Sequence, residues 1–159
     1  MDITDENLFE AFRYEGTRKA FREKEKKVMK KVFLGGTCNE SKWRETLVKN
    51  LDIEYFNPVV DDWTPDCMTE EIRQRSFCDF VLYVITPKMS GTYAIAEVVD
   101  DSNKRPEKTI FCFLKTDDGI SFTPGQVKSL EAIGRLVFNN GGEHLPHLES
   151  VANYLNAKG

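Results

Sequence analysis

From Val32 onward, short β-rich apolar runs alternate with stretches whose apolar residues recur at helical spacing, as in βαβ units wound around a parallel sheet. Five strands are predicted, at residues 32–35, 53–60, 80–86, 109–114 and 135–138. The middle runs are continuously apolar, as strands covered on both faces should be. Helix ends are also legible between them. Thr123 is suited to cap a helix with Pro124 at its first position and Gln126 completing a capping box; Val127, Leu130 and Ile133 face inward and Gly134 closes it. A last helix is predicted from about Pro146, with Leu148, Val151, Ala152 and Leu155 on one face.

Five strands in this alternation fit an α/β domain of the flavodoxin-like, doubly wound type, with strand order 2-1-3-4-5, because right-handed crossovers must cover both faces of the sheet. Residues 1–31 read differently. They are rich in Glu, Lys and Arg, with Leu8, Phe9, Phe12, Tyr14 and Phe21 scattered among them, and are expected to form a charged helical extension to a domain spanning residues 32–159.

Composition narrows the class. A chain of 159 residues, 40% of them hydrophobic, suits one core, while 30% charged residues and a net charge of −4 favour solubility. The longest apolar run, near Phe80 to Thr86, is far below the ~20 residues of a spanning helix. Met1 opens a charged segment without the apolar stretch of a secretion signal, so a cytoplasmic protein off the membrane is expected. Cys38, Cys67, Cys78 and Cys112 match no metal or redox spacing; they are expected to be reduced and structural, with no metal and no cofactor. The acidic balance argues against a nucleic-acid partner, and the basic cluster from Lys24 to Lys31 is interleaved with Glu23 and Glu25 as on a solvated helix face.

In doubly wound sheets ligands bind beyond the carboxyl ends of the strands, where strand order reverses between strands 1 and 3. Three segments reach that edge. Gly35, Gly36 and Thr37 follow strand 1, with Asn39 and Ser41 ahead of a helix containing Trp43 and Leu47; close backbone approach to a ligand and a plain tight turn explain the glycines equally. Asn57, Asp61, Asp62 and Trp63 follow strand 2 and offer an amide, two carboxylates and an indole able to stack on a planar base; turn acids and a lid over the core are the alternative. Lys88, Ser90, Gly91 and Thr92 follow strand 3 and lead into a nearly apolar helix carrying Glu97, with Tyr93 four residues earlier on the same face. A carboxylate in such a helix is costly unless it has a partner or a purpose. Pairing with Lys88, or reaching solvent, would be the structural explanation.

Taken together, FLGGTCNESKWRETL, YFNPVVDDW and EEIRQRSFCDFVLYVITPKMSGTYAIAEVV resemble the nucleoside 2-deoxyribosyltransferase-like family in all three elements and in their order, over roughly residues 32–114. The resemblance implies cleavage or exchange of the N-glycosidic bond of a deoxynucleoside or its monophosphate by a glutamate nucleophile matching Glu97. It also implies a second acid on the preceding helix, at Glu71, with Asp62 and Asp61 as further candidates and Asp79 a structural acid at the strand start. Sugar and base contacts are expected from Gly35, Gly36, Thr37, Asn57, Asp61, Trp63, Ser90, Gly91 and Tyr93. A homo-oligomer is expected as well, since related enzymes complete their sites from a neighbouring subunit.

Ile95, Ala96, Val98 and Val99 stand around Glu97, where the family's established enzymes carry glycines two residues to either side. Two further functions therefore stay open. One is a nucleotide-binding or sensing module without turnover; the other, resting on fold analogy alone, is an NAD glycohydrolase.

Overall fold

The structure, a computed structural model, describes residues 28–38 and 40–159. The helical extension expected over residues 1–31 lies outside the described residues apart from its last four, and so does Asn39. The described chain runs β1 (Lys31–Gly36), α1 (Trp43–Val48), β2 (Glu54–Phe56), α2 (Pro65–Phe77), β3 (Phe80–Ile85), α3 (Tyr93–Lys104), a 3-10 turn (Pro106–Lys108), β4 (Thr109–Phe113), β5 (Thr116–Asp117), β6 (Ile120–Ser121), α4 (Pro124–Asn139), β7 (Glu143–His144) and α5 (Leu148–Lys158). Strands β2-β1-β3-β4-β7 form one sheet, parallel throughout, and β5 and β6 make a separate antiparallel hairpin.

The expected strand order therefore holds, with a different fifth strand. Residues 135–138 belong to α4, whose capping box at Thr123 and Gln126 is as predicted but which continues past Gly134 to Asn139. Leu130, Gly134 and Val137 share its buried face, whereas Leu136 and Phe138 are exposed, so helical periodicity overrides the local β propensity. Gly134 is a packing glycine: a Cβ there would stand 2.2 Å from the His144 ring on β7. The true fifth strand is two residues long and polar in sequence, pairing Glu143 with Ile110 and His144 with Phe111, so no apolar run announces it. Strand 2 is likewise shorter than expected, ending at Phe56, because Asn57 turns the chain by accepting a hydrogen bond from the Val59 amide at 3.1 Å.

Alternation along the strands divides the core in two. Val32, Leu34, Leu82, Val84, Ile110 and Cys112 face α1 and α5, meeting Trp43, Leu47, Val151 and Leu155. Phe33, Val81, Tyr83, Ile85, Phe111 and Phe113 face the other way, onto Val98 of α3 and Leu130 and Val137 of α4. Helix α2 is the exception. Its buried residues are Gln74 and Arg75, while Met68, Ile72 and Phe77 are exposed, so it docks through polar contacts and turns apolar side chains outward. The helix after β3 is also less apolar in its surroundings than its sequence suggests: Val98, Asp101 and Ser102 are buried, and Tyr93 and Ala96 face solvent.

Candidate active site

The ends of β1 and β3 are stapled together at the switch point. Gly36 has φ of +117°, and a Cβ there would stand 2.0 Å from the Val84 carbonyl oxygen, so only glycine fits this approach of two strands. Thr37 continues the staple: its amide donates to the Val84 carbonyl at 2.9 Å, and its hydroxyl accepts from the Thr86 amide at 2.9 Å. The Thr37 carbonyl in turn accepts from Trp43 Nε1 at 2.8 Å and Arg44 Nη1 at 2.7 Å, and Arg44 Nε donates to the Leu34 carbonyl at 3.0 Å. Buried side chains of α1 thus satisfy the carbonyls that the strand end leaves open.

Beyond this staple lies a cleft of about 310 Å³. It is lined by Gly36 and Thr37 from the end of β1, Ser90 and Gly91 from the loop after β3, and Tyr93 and Glu97 from the first turns of α3. These six are residues to which the sequence assigned contacts or chemistry; Cys38, Met89 and Ala94, which it did not name for the site, complete the lining. Gly35 stands behind the cleft instead. Its missing side chain makes room for the Tyr83 ring, which an added Cβ would approach to 2.7 Å.

Glu97 is the most electrostatically constrained group in the cleft. Its side chain is only 14% exposed, and Arg75 Nη1 of α2 lies 3.1 Å from its Oε2, so its partner is this arginine and not Lys88. Lys88 instead reaches Asp118 at 2.6 Å and the Glu40 carbonyl at 3.3 Å, tying the hairpin and the loop after β1 to the loop after β3. Burial drives the Glu97 carboxyl up to about 7; Arg75 opposes the rise, and the negative charges of Glu71 and Asp101 add to it. Glu71 is also raised, by burial against the opposing pull of Arg75 and Arg44. Both carboxyls are thus displaced upward by burial, with the positive charge of Arg75 opposing the rise in each, and Glu71 itself stands on α2 outside the lining of the cleft.

Arg75 is itself held from behind. Its Nε and Nη2 both donate to the Asp101 carboxylate at 2.9 Å, and Asp101, completely buried, also accepts from Tyr83 Oη and Arg105 Nη1. Burial works against the Arg75 charge, but the hydrogen bonds and field of Asp101 outweigh it and keep the guanidinium ionised. Burial and the neighbouring Asp101 raise the Tyr83 phenol, which stays a donor. Sequence reasoning missed Arg75, Asp101 and Tyr83. The available signal was that Arg75 follows Glu71 by four residues and Asp101 follows Glu97 by four, placing each pair on one helix face.

Asn57, Asp61, Asp62 and Trp63 do not line this cleft; they stand exposed on the β2–α2 loop, Trp63 at 58%. Asp79 accepts from the Lys31 amide at 2.8 Å, closing the start of β1 onto the start of β3, the structural role expected of it. Among the described residues all four cysteines are free, and no group of three or more His, Cys, Asp or Glu side chains is placed to hold a metal ion. No described helix is long and apolar enough to cross a membrane. A larger cleft of about 470 Å³ lies beyond β4 and β7, between Phe113, Glu131, His144 and His147. The smaller one is the stronger candidate, because it holds the carboxyl whose ionisation is displaced to neutral pH at the switch point.

The displaced ionisation of Glu97 has a consequence for stability. Between the ordinary value of 4.5 and about 7 the folded protein keeps a proton that the unfolded chain has released, so Glu97 favours folding below pH 4.5 and loses that contribution as pH rises through 7. Glu97→Gln, which mimics the protonated acid, should match the wild type in stability near pH 4.5 and exceed it at pH 8 by on the order of 2–3 kcal/mol. Urea unfolding of both proteins across this range measures the difference, and parallel curves would show that Glu97 titrates normally.

The family model described as Nucleoside 2-deoxyribosyltransferase like matches residues 29–115, more than half of the chain. The matched span contains all six cleft residues named above, together with Glu71, Arg75, Tyr83, Asp101 and Arg105. No curated protein matches the chain.

Proposed function

Because the chain belongs to the nucleoside 2-deoxyribosyltransferase-like family, we propose that it breaks the N-glycosidic bond of a deoxynucleoside or deoxynucleoside monophosphate, releasing the base or exchanging it for another. The observation that carries this reading is the position of Glu97: in a cleft at the strand 1–strand 3 switch point, ion-paired to Arg75, with its carboxyl poised at about 7.

In the first step the Glu97 carboxylate attacks the anomeric carbon and the C–N bond breaks, its electron pair leaving with the base nitrogen. Glu71, whose burial favours the protonated form, delivers a proton to that nitrogen. Asp62, on the exposed loop after β2, is the alternative donor if that loop folds over the substrate. Water or a second base then attacks the glycosyl ester, restoring the Glu97 carboxylate while its proton returns to the acid. Tyr93, at the mouth of the cleft, would stack on the base, while Ser90, Gly91 and the Gly36 backbone offer partners for sugar oxygens; Trp63, outside the cleft on the same loop as Asp62, would join them only with that loop folded over.

The ion pair between Glu97 and Arg75 is also what a nucleotide-binding module without turnover would keep, and this gives the second reading. Incubating the full chain with deoxynucleosides, their 5′-monophosphates and NAD, and separating the products chromatographically, distinguishes the possibilities. Free base from a deoxy substrate is expected. Calorimetric binding with no release from any of them would select the binding module, and nicotinamide from NAD a glycohydrolase.

The protein acts as a homo-oligomer, at least a dimer, in this reading. Val59, Val60, Trp63, Met68, Ile72, Phe77 and Tyr93 are all exposed, from the loop before α2 through α2 to the start of α3. So many outward apolar side chains beside a candidate site suit a subunit contact. Light scattering at micromolar concentration should give at least twice the 18.3 kDa chain mass, and a monomer would remove a neighbouring subunit from the site. The four free cysteines fit a cytoplasmic setting.

A further inference from the structure

We infer that Asp101 is a positioning residue of the site: by gripping Arg75 along one edge of its guanidinium, it fixes the cation beside Glu97 and divides its charge between the two carboxylates. This inference rests on the proposed role of Glu97.

The guanidinium is planar, with its donors in a fixed fork. Asp101 takes the edge formed by Nε and Nη2, both at 2.9 Å, which leaves Nη1 as the corner that meets Glu97 at 3.1 Å. A bidentate grip sets the rotation of the group about its long side chain as well as its place. Asp101 is immobilised in turn by Tyr83 Oη from the middle of β3 and by Arg105 Nη1 at the end of α3. Tyr83 lies over Gly35 on β1, where any larger residue would collide with its ring. A chain of contacts thus runs from the central strands to the proposed nucleophile.

Its cost argues for a purpose. A fully buried aspartate between two arginines adds little to stability that well-packed apolar residues would not supply. What apolar residues could not supply is a cation of limited strength beside Glu97. An arginine serving Glu97 alone would hold its carboxylate ionised well below neutral pH and oppose its conversion to a neutral ester. Burial raises the Glu97 carboxyl to about 7, and Arg75, already committed to Asp101 and with Asp100 3.6 Å from its Nη2, opposes that rise only in part. Among the described residues, the charged or titratable groups around Glu97 are Arg75 and Glu71 from α2, Asp100 and Asp101 from α3 and Tyr83 from β3, with Cys38 and Tyr93 lining the same cleft and Arg105 acting through Asp101.

Two variants of the full chain test this, with the side-chain carboxyls of glutamate labelled with carbon-13 and the Glu97 resonance assigned through Glu97→Gln. In Asp101→Asn, Arg75 loses its bidentate charged partner and keeps only Asp100 besides Glu97, so the Glu97 titration midpoint should fall by about one pH unit or more. Arg105→Gln leaves Asp101 leaning harder on Arg75, and the midpoint should rise. The rising limb of the pH profile for base release should move with the midpoint, and kcat should fall about tenfold or more in Asp101→Asn with KM little changed, because the carboxylate is held too tightly to attack. The resonance is readable whether or not the protein turns over a nucleoside. Absence of base release would therefore count against the proposed function, while the two shifts would still decide the role of Asp101. A Glu97 midpoint unmoved in Asp101→Asn would overturn the inference. Should Asp101→Asn fail to fold, an unmoved midpoint in Arg105→Gln, whose side chain is a fifth exposed, would overturn it equally.

Discussion

Replacing Glu97 with glutamine is expected to abolish base release and base exchange while leaving nucleoside or nucleotide binding nearly intact. The amide keeps the size of the carboxylate and half of its accepting capacity, so the cleft keeps its shape. What disappears is the negative charge and the oxygen that would bond to the anomeric carbon, both of which matter once positive charge develops on the sugar. Losing a covalent nucleophile commonly raises the barrier by about 4 kcal/mol or more, a rate loss of at least about a thousandfold at ~1.4 kcal/mol per tenfold. Rates measured beside calorimetric affinities separate the two effects. Equal rates in the two proteins would remove Glu97 from the mechanism, whereas retained binding without activity in either would favour the binding module. The same substitution should stabilise the fold above pH 7, because it removes a carboxyl whose ionisation the fold resists.

Arg75→Met should have the largest effect on stability. The methionine fills much of the same volume, but Asp101 is left completely buried with two of its four hydrogen-bond donations gone. Tyr83 and Arg105 still donate to it. Removing one member of a buried pair commonly costs about 3–5 kcal/mol, most of it the penalty of stranding the other charge. Helix α2 should suffer in particular, because its buried residues are polar and Arg75 joins it to α3. Urea unfolding gives the size of the loss. The double variant Arg75→Met with Asp101→Leu should recover part of it, since the stranded charge is gone. A loss below about 1 kcal/mol for Arg75→Met would mean that Tyr83 and Arg105 alone satisfy Asp101.

Strand runs, helix ends and their order were legible in the amino-acid sequence because they are local properties. Val81, Leu82, Tyr83 and Val84 read as a strand buried on both faces wherever they occur, and Thr123 with Gln126 reads as a capping box without knowledge of anything else. Alternating elements then leave few topologies, and the rule that crossovers are right-handed selects the order observed. That topology places the loops after β1 and β3 together at the switch point, so Gly36, Thr37, Ser90, Gly91, Tyr93 and Glu97 could be named for one site from sequence. They do line one cleft.

Tertiary structure alone decided the rest. Residues 135–138 continue α4 on the periodicity of Leu130, Gly134 and Val137, and the fit of Gly134 against the His144 ring is a contact between elements that no window of sequence contains. Whether Asp62 and Trp63 joined the cleft depended on where strand 2 stopped, and Asn57 turns the loop so that both remain in solvent. Above all, no local pattern paired Glu97 with Arg75. Arg75 and Asp101 lie 26 residues apart, Arg75 as one more charge on a polar helix and Asp101 near the charged end of a helix that is otherwise largely apolar. Periodicity reports which face of an element is apolar, because burial of apolar surface repeats with the turn of the helix or the pleat of the strand. A buried ion pair breaks that pattern, since its members look like surface until two helices bring them together.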